Sequence, residues 1–276
     1  MDTLPSLFIS HGAPTFALEP GTAGAALGAL GRALPRPVAV LVVSAHWITD
    51  SPRVTTGHRP ETIHDFGGFD SALYELEYPA AGHPAVAART IEVLREAGWQ
   101  AEGDEQRGLD HGAWVPLLHL YPEADVPVIQ VSLPSPPDGD TAFTFGKALA
   151  TLSGEGVLVV GSGSLTHNLY DLRPDGPDAV YPTVFAAWIH QAVVTGDRER
   201  LREALDRAPY ANRNHPTPEH YWPLVVAAGA AANPEPVTTI RGGLTYGVLA
   251  MDAFLFGRNL EAVLADIPPA SGGQAG

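Results

Sequence analysis

Apolar and polar positions along the chain alternate between short hydrophobic runs and longer stretches of helical spacing. Leu7-Phe8-Ile9-Ser10 predicts a short first strand. Val38 to Ala45 is apolar almost throughout, the pattern of a strand buried on both faces of a parallel sheet. Val126 to Ser132 and Gly156 to Gly161 read the same way, and Val237 to Arg241 predicts one strand more. Between them lie helical patterns. His83 to Ala97 carries Val86, Thr90, Val93, Leu94 and Ala97 on one stripe, with Gly98 as its stop. Trp114, Leu117, Leu118 and Tyr121 recur at helical spacing. Further helices are predicted over Thr141–Leu152, Thr183–Thr195, Arg198–Ala208 and His220–Ala232. Such alternation predicts a single α/β domain, a mostly parallel central sheet with helices on both faces. No repeat or linker divides the chain, so one catalytic domain is expected over 1–262. The Gly/Pro/Ala-rich segment 263–276 is expected to be a flexible tail.

Composition narrows the chemistry. With 45% hydrophobic and 17% charged residues in 276, the chain has the makings of a globular core. Its longest apolar run is too short to cross a bilayer, and Met1-Asp2-Thr3 offers no basic start for a signal peptide. No membrane association and cytoplasmic residence are therefore expected. The formal charge of −15 comes with no Lys/Arg cluster, which argues against nucleic acid as a partner. Cysteine is absent, so disulfides, thiolate metal sites and cysteine nucleophiles are excluded. Any metal must be held by imidazole, carboxylate or water, and there are eleven histidines.

In an open α/β sheet, ligands bind beyond the carboxyl ends of the strands. His11 and His46 end the first two predicted strands there, and His167 follows the Gly156–Gly161 strand through a Gly/Ser loop. In Pro216-Thr217-Pro218-Glu219-His220-Tyr221, Thr217 reads as an N-cap and Pro218 as the first helical residue. His220 would then sit in the first turn, where the helix dipole keeps an imidazole neutral. Tyr221, Leu224, Val225 and Ala228 form the core stripe of that helix. Taken singly, His11 and His46 read as polar ends of buried strands; taken together, the four histidines point to a metal site. His64-Asp65 lies in a Gly- and aromatic-rich loop suited to cover an aromatic ligand. In Asp110-His111-Gly112, Asp110 reads as the cap of the next helix. His58, His83, His119, His190 and His215 read as surface or capping residues, with His119 partly buried in a helix.

Six segments in order also resemble a known family. They are His11-Gly12-Ala13-Pro14, Ser44-Ala45-His46-Trp47, Ile63-His64-Asp65-Phe66-Gly67-Gly68-Phe69, Asp110-His111-Gly112, Gly161-Ser162-Gly163 with His167-Asn168-Leu169, and Pro216-Thr217-Pro218-Glu219-His220-Tyr221. The chain is similar to the class III (LigB-like) extradiol ring-cleavage dioxygenases, in the branch of the 4,5-DOPA extradiol dioxygenases. The resemblance implies a non-haem Fe(II) enzyme, with Zn(II) as an ion that related proteins hold. It implies His11, His46 and His220 as metal ligands, and His167 as the acid/base residue or a further ligand. His64, Asp65, Phe66, His111 and Tyr221 would line the substrate pocket. The implied substrates are a small aromatic diol, a DOPA-like catechol, and O₂. One departure is that typical class III enzymes use two histidines and a glutamate. Here Glu219 adjoins His220, and the third ligand is one or the other. Two alternatives to ring cleavage are a zinc-dependent hydrolase on the same site and a non-enzymatic binding or signalling protein of the same fold. A serine hydrolase on Ser162 or Ser164 is a weaker one, because Gly161-Ser162-Gly163-Ser164-Leu165 is not G-x-S-x-G.

Overall fold

The computed structural model describes residues 3–135 and 137–265. Ten strands occur among them: β1 (Ser6–Ser10), β2 (Ala39–Thr49), β3 (Arg53–Thr55), β4 (Glu102–Asp104), β5 (Val128–Pro134), β6 (Val157–Gly163), β7 (Val237–Ile240), β8 (Leu244–Thr245), β9 (Leu249–Ala250) and β10 (Ala253–Phe256). The longer helices are α1 (Gly21–Ala33), α2 (Pro84–Glu96), α3 (His111–Leu120), α4 (Gly139–Gly154) and α5 (Val180–Val194). Three short helices follow, α6 (Arg198–Arg202), α7 (Ala204–Arg207) and α8 (Ala211–Asn214), then α9 (Trp222–Ala230) and α10 (Glu261–Leu264).

Eight strands form one sheet in the order β4-β3-β5-β2-β6-β1-β10-β7. Its centre, β5-β2-β6-β1, is parallel, and β10 and β7 continue it antiparallel beyond β1. Alternate residues of the central strands feed two cores, as the pleat requires. Leu41, Val43, Val157 and Val159 pack toward α4 and α9, while Val40, Val42, Leu158 and Val160 pack toward α1 and α3. Helices thus cover both faces, as the alternating pattern predicted. No described helix is long and apolar enough to cross a membrane.

Several elements depart from expectation. Helix α1 carries glycines that depress helix propensity and hide it in the sequence. The fold uses them for close packing: a Cβ on Gly31 would run into the Leu120 carbonyl at the end of α3. The helix expected over 198–208 is broken at Glu203 into α6 and α7. Leu264, in α10, packs against the α1-side core. From 266 onward the expected tail lies outside the described residues.

Candidate active site

The carboxyl ends of β1, β2 and β6 meet on one edge of the sheet, and the histidines gather there. His11 leaves β1 with its N–H donated to the Gly163 carbonyl at 2.8 Å. Gly12 then turns at φ +62°, in a place where a Cβ would strike the Met251 sulfur. His46 stands where the β2–β5 register shifts between Val43 and Ile48, an irregularity of the kind that re-aims side chains beside functional sites. Its N–H donates to Ser44 Oγ at 3.2 Å, and Ser44 Oγ donates to Asp110 Oδ1 at 2.7 Å. The His220 carbonyl accepts from Ser164 N–H at 2.9 Å, which ties its turn to the end of β6. Gly163 permits that approach, because a Cβ there would collide with the same carbonyl. The His167 N–H donates to the Asn214 carbonyl at 2.9 Å.

Thr217 is not a helix cap. Its hydroxyl donates to Glu219 Oε1 at 2.8 Å, and α9 begins only at Trp222. His220 therefore lies in the turn before the helix, and the helix dipole is not what keeps it neutral. Burial is the main cause of its lowered pKa, reinforced by His167, His46 and other neighbouring imidazoles.

The ring centroids of His11, His46 and His220 lie 4.9–5.3 Å apart, and that of His111 is 4.0 Å from His46. His167 stacks on His220 at 3.5 Å with the rings 10° from parallel. Grouped by their donor atoms, His11, His46 and His111 lie within 4.8 Å of one another, and His167, Glu219 and His220 form a second, adjoining group. The tightest set around His11 and His46 thus includes His111, an imidazole assigned from the sequence to the substrate pocket. Hydrogen bonds fix the tautomers. Ser162 Oγ gives its single proton to the Gly112 carbonyl, so the 3.0 Å contact with His11 Nδ1 makes that nitrogen the donor. Glu219 Oε1 accepts from His220 Nδ1 at 3.2 Å, and Asp65 Oδ1 accepts from both His111 Nδ1 and His111 N–H at 2.9 Å. In all three rings Nδ1 is the nitrogen spent on oxygen, which leaves Nε2 as the atom available to a ligand or a neighbouring imidazole. His220 Nε2 is buried without a partner, and Nε2 of His11 lies 3.1 Å from Nε2 of His46. Two nitrogens each about 2.0–2.1 Å from one ion can have that separation. A neutral, oxygen-backed imidazole presenting a bare nitrogen is the donor that a metal requires.

Electrostatics agree with this arrangement. Burial, helped by the other imidazoles, holds His11 well below the ordinary histidine pKa. Burial likewise takes His46 and His167 down to about 4. Burial alone would raise Asp65, but the His111 hydrogen bonds and charge outweigh it and hold that carboxyl at about 2. Behind His46 lies a buried polar anchor of which the sequence shows only the helix cap. Asp110, fully buried, caps α3 and also accepts from Arg107 at 3.0 Å and Gln130 at 2.8 Å. Nothing in the local pattern links Gln130, on β5, to Asp110, so only the fold reveals the pair.

A cavity of about 470 Å³ opens above the cluster, walled by His46, His111, His167, His220, Asp65 and Phe66 together with residues from four loops. His64 and Tyr221 do not line it. His64 donates from Nε2 to the Leu76 carbonyl at 2.9 Å and braces the loop from behind. Tyr221 is fully buried in the α9-side core with its hydroxyl on the Leu201 carbonyl, as its place on the core stripe implied. His215, read from the sequence as a surface or capping residue, is buried too, with Nε2 on the Leu165 carbonyl at 2.9 Å. His83 does cap α2, and His119 is a part-buried helix residue bonded to the Phe16 carbonyl. Ser162 is fully buried behind His11 with its proton committed, which removes it as a nucleophile.

Comparison with known proteins completes the picture. The family model for the catalytic LigB subunit of aromatic ring-opening dioxygenase matches residues 7–250. The chain belongs to this family. The dioxygenase is 39% identical over 257 residues to the 4,5-DOPA dioxygenase extradiol of Beta vulgaris, covering 91% of this chain and 96% of the relative. It is also 39% identical over 253 residues to the protein of that name from Escherichia coli K12, covering 90% and 93%. A crystal structure of an uncharacterized protein from Escherichia coli K12 superposes with a TM-score of 0.75 at 32% identity, covering 92% of this chain and all of the other. The protein is thus an extradiol dioxygenase, an oxidoreductase of a metal-dependent family, with a candidate all-histidine metal site.

Proposed function

We propose that this dioxygenase opens the ring of a catechol with O₂ at an Fe(II) ion held by His11, His46 and His220. The observation that carries the ligand set is the orphaned, buried Nε2 of His220, beside the facing Nε2 atoms of His11 and His46. Glu219 stands behind His220 on Nδ1, the place of a carboxylate that orients a ligand. Bound there, the ion supplies the Lewis-acid and redox chemistry that brings a diol and O₂ together.

The protein's own groups do the rest. His167 is neutral at working pH and takes a proton from a diol hydroxyl, then returns it as the ring opens. Its stacking on His220 fixes the ring beside the ligand set. His111, locked by Asp65, turns Nε2 toward the same space and can accept from a diol hydroxyl. Phe66 and the loops around it wall the reacting face. Three imidazoles also suit zinc, which makes Zn(II) the alternative ion for a purified form. Cytoplasmic residence goes with this reading.

The test is anaerobic Fe(II) loading followed by a catechol panel, watched for O₂ uptake and a yellow ring-opened product. Turnover with Fe(II) and none with Zn(II) is expected. A hydrolytic activity with Zn(II), and no O₂ uptake with any catechol, would sink the proposal in favour of the hydrolase.

A further inference from the structure

The cavity has two chemically distinct ends. Its floor is the imidazole cluster with Asp65, and both His111 contacts keep that carboxylate at the diol end. Its outer wall is Phe69, Leu169, Leu172, Pro174 and Tyr246 with Pro14. Three of these are large apolar side chains left open to solvent: Phe69 at 37%, Leu169 at 52% and Leu172 at 40% exposure. Apolar groups gathered at the mouth of a concave site mark the surface a ligand covers.

No lysine or arginine lines this cavity among the described residues. The nearest in sequence, Arg173, sits between two wall residues, but its guanidinium is bonded to Asp171, at 3.2 Å to Oδ1. Asp171 also takes Arg213 at 2.9 Å, so both guanidiniums of this three-membered cluster are held on one carboxylate, and neither lines the cavity. The Tyr246 hydroxyl, the one polar side-chain group of the outer wall, is joined to Thr15 Oγ1 at 2.8 Å. Tyr246 is itself held at φ +51°, with its carbonyl accepting from Arg173 N–H. The wall therefore offers an incoming substituent mainly carbon surfaces, with no charged side chain of its own among the described residues.

We propose that the enzyme selects catechols whose ring substituent is uncharged and apolar, seated against Phe69, Leu169 and Leu172. This rests on the ring-opening reading above and names its substrate class. An amino-acid side chain such as that of DOPA would carry a carboxylate and an ammonium against this wall without partners, which is costly. A short alkyl chain buries its methylenes there instead.

The test uses the Fe(II)-loaded protein with 4-ethylcatechol, dopamine, 3,4-dihydroxyphenylacetate and DOPA, which present a neutral, cationic, anionic and zwitterionic substituent on the same diol. Two readouts are taken: kcat/KM by O₂ uptake, and Kd under anaerobic conditions by tryptophan fluorescence. The neutral compound is expected to lead each charged one by about tenfold or more in both. Leu169→Arg places a cation on the exposed wall and should shift the anion-to-neutral ratio by about tenfold toward 3,4-dihydroxyphenylacetate. Arg173→Met should leave that ratio where it was. A charged catechol that equals or beats 4-ethylcatechol in binding overturns the proposal, as does an Arg173→Met change that selectively weakens the anion. Binding in the expected order with no ring opened leaves the selectivity standing and removes the ring-opening reading. Binding of no catechol removes both.

Discussion

His215 and His220 lie five residues apart, both buried, both with the pKa lowered chiefly by burial, yet the two regions they occupy use imidazole in opposite ways. His215 donates from Nε2 to the Leu165 carbonyl and packs against Phe185 and Tyr221. His220 spends Nδ1 on Glu219 and leaves Nε2 bare toward three other histidines. His64 and His119 follow the first pattern, each giving Nε2–H to a backbone carbonyl. His11 and His111 follow the second, with Nδ1 backed by Ser162 and by Asp65. Burial and pKa therefore do not distinguish a structural histidine from a site histidine here. What distinguishes them is which nitrogen is left without a partner and what surrounds the ring: His215 leaves Nδ1 bare beside Phe185 and Tyr221, whereas His220 leaves Nε2 bare among other imidazoles.

The sharpest way to break this contrast is to remove the bare nitrogen. His220→Ala should lose bound metal and turnover together, whereas His215→Gln should keep its full metal content; metal analysis of the two purified variants decides it. His167→Phe comes next. It should retain metal and lose about 10²–10⁴-fold in turnover, the span of a lost acid–base group, and a metal-free variant would make His167 a ligand instead.

The buried ring of His215 gives a pH signature. Its folded pKa, about 4, lies below the unfolded 6.5. As pH falls below 6.5 the unfolded chain takes up a proton that the folded one refuses, so stability is lost down to about pH 4. The loss is about 1.4 kcal/mol per pH unit and on the order of 3 kcal/mol in all. His215→Gln keeps a donor for Leu165 without titrating. Urea melts at pH 7, 6 and 5 should show a slope shallower by about one proton, and equal slopes would contradict the assignment. Smallest is Gly112→Ala, whose Cβ would fall 2.9 Å from the His46 ring and press on Ser44 Oγ. It should cost about 1–3 kcal/mol by overpacking, with weaker metal binding because His46 is displaced. Wild-type stability and metal affinity would show the anchor to be looser than its contacts indicate.

Much of this was legible along the chain. The parallel strands announce themselves as apolar runs, and His11, His46 and His167 follow from where those runs end. Of the antiparallel edge, β7 was legible as the run from Val237, but β10 was not, since Ala253–Phe256 is four residues with no period to read. Helix α1 hid behind its glycines, of which Gly31 makes sense only against the Leu120 backbone. Tyr221 and His64 adjoin the cavity-lining His220 and Asp65 in sequence but face elsewhere, because neighbours along a turn or loop point in different directions.

Residue types and their order determined the α/β class, the family and the histidines available, because hydrophobic period and short motifs are local properties of a chain. Tertiary structure decided which nitrogen each ring exposes, which imidazoles meet and that the outer wall is carbon. Those depend on partners such as Ser162, Glu219, Asp65 and the Leu76 carbonyl. Through-space hydrogen bonding and burial, rather than any spacing, assign a histidine its role.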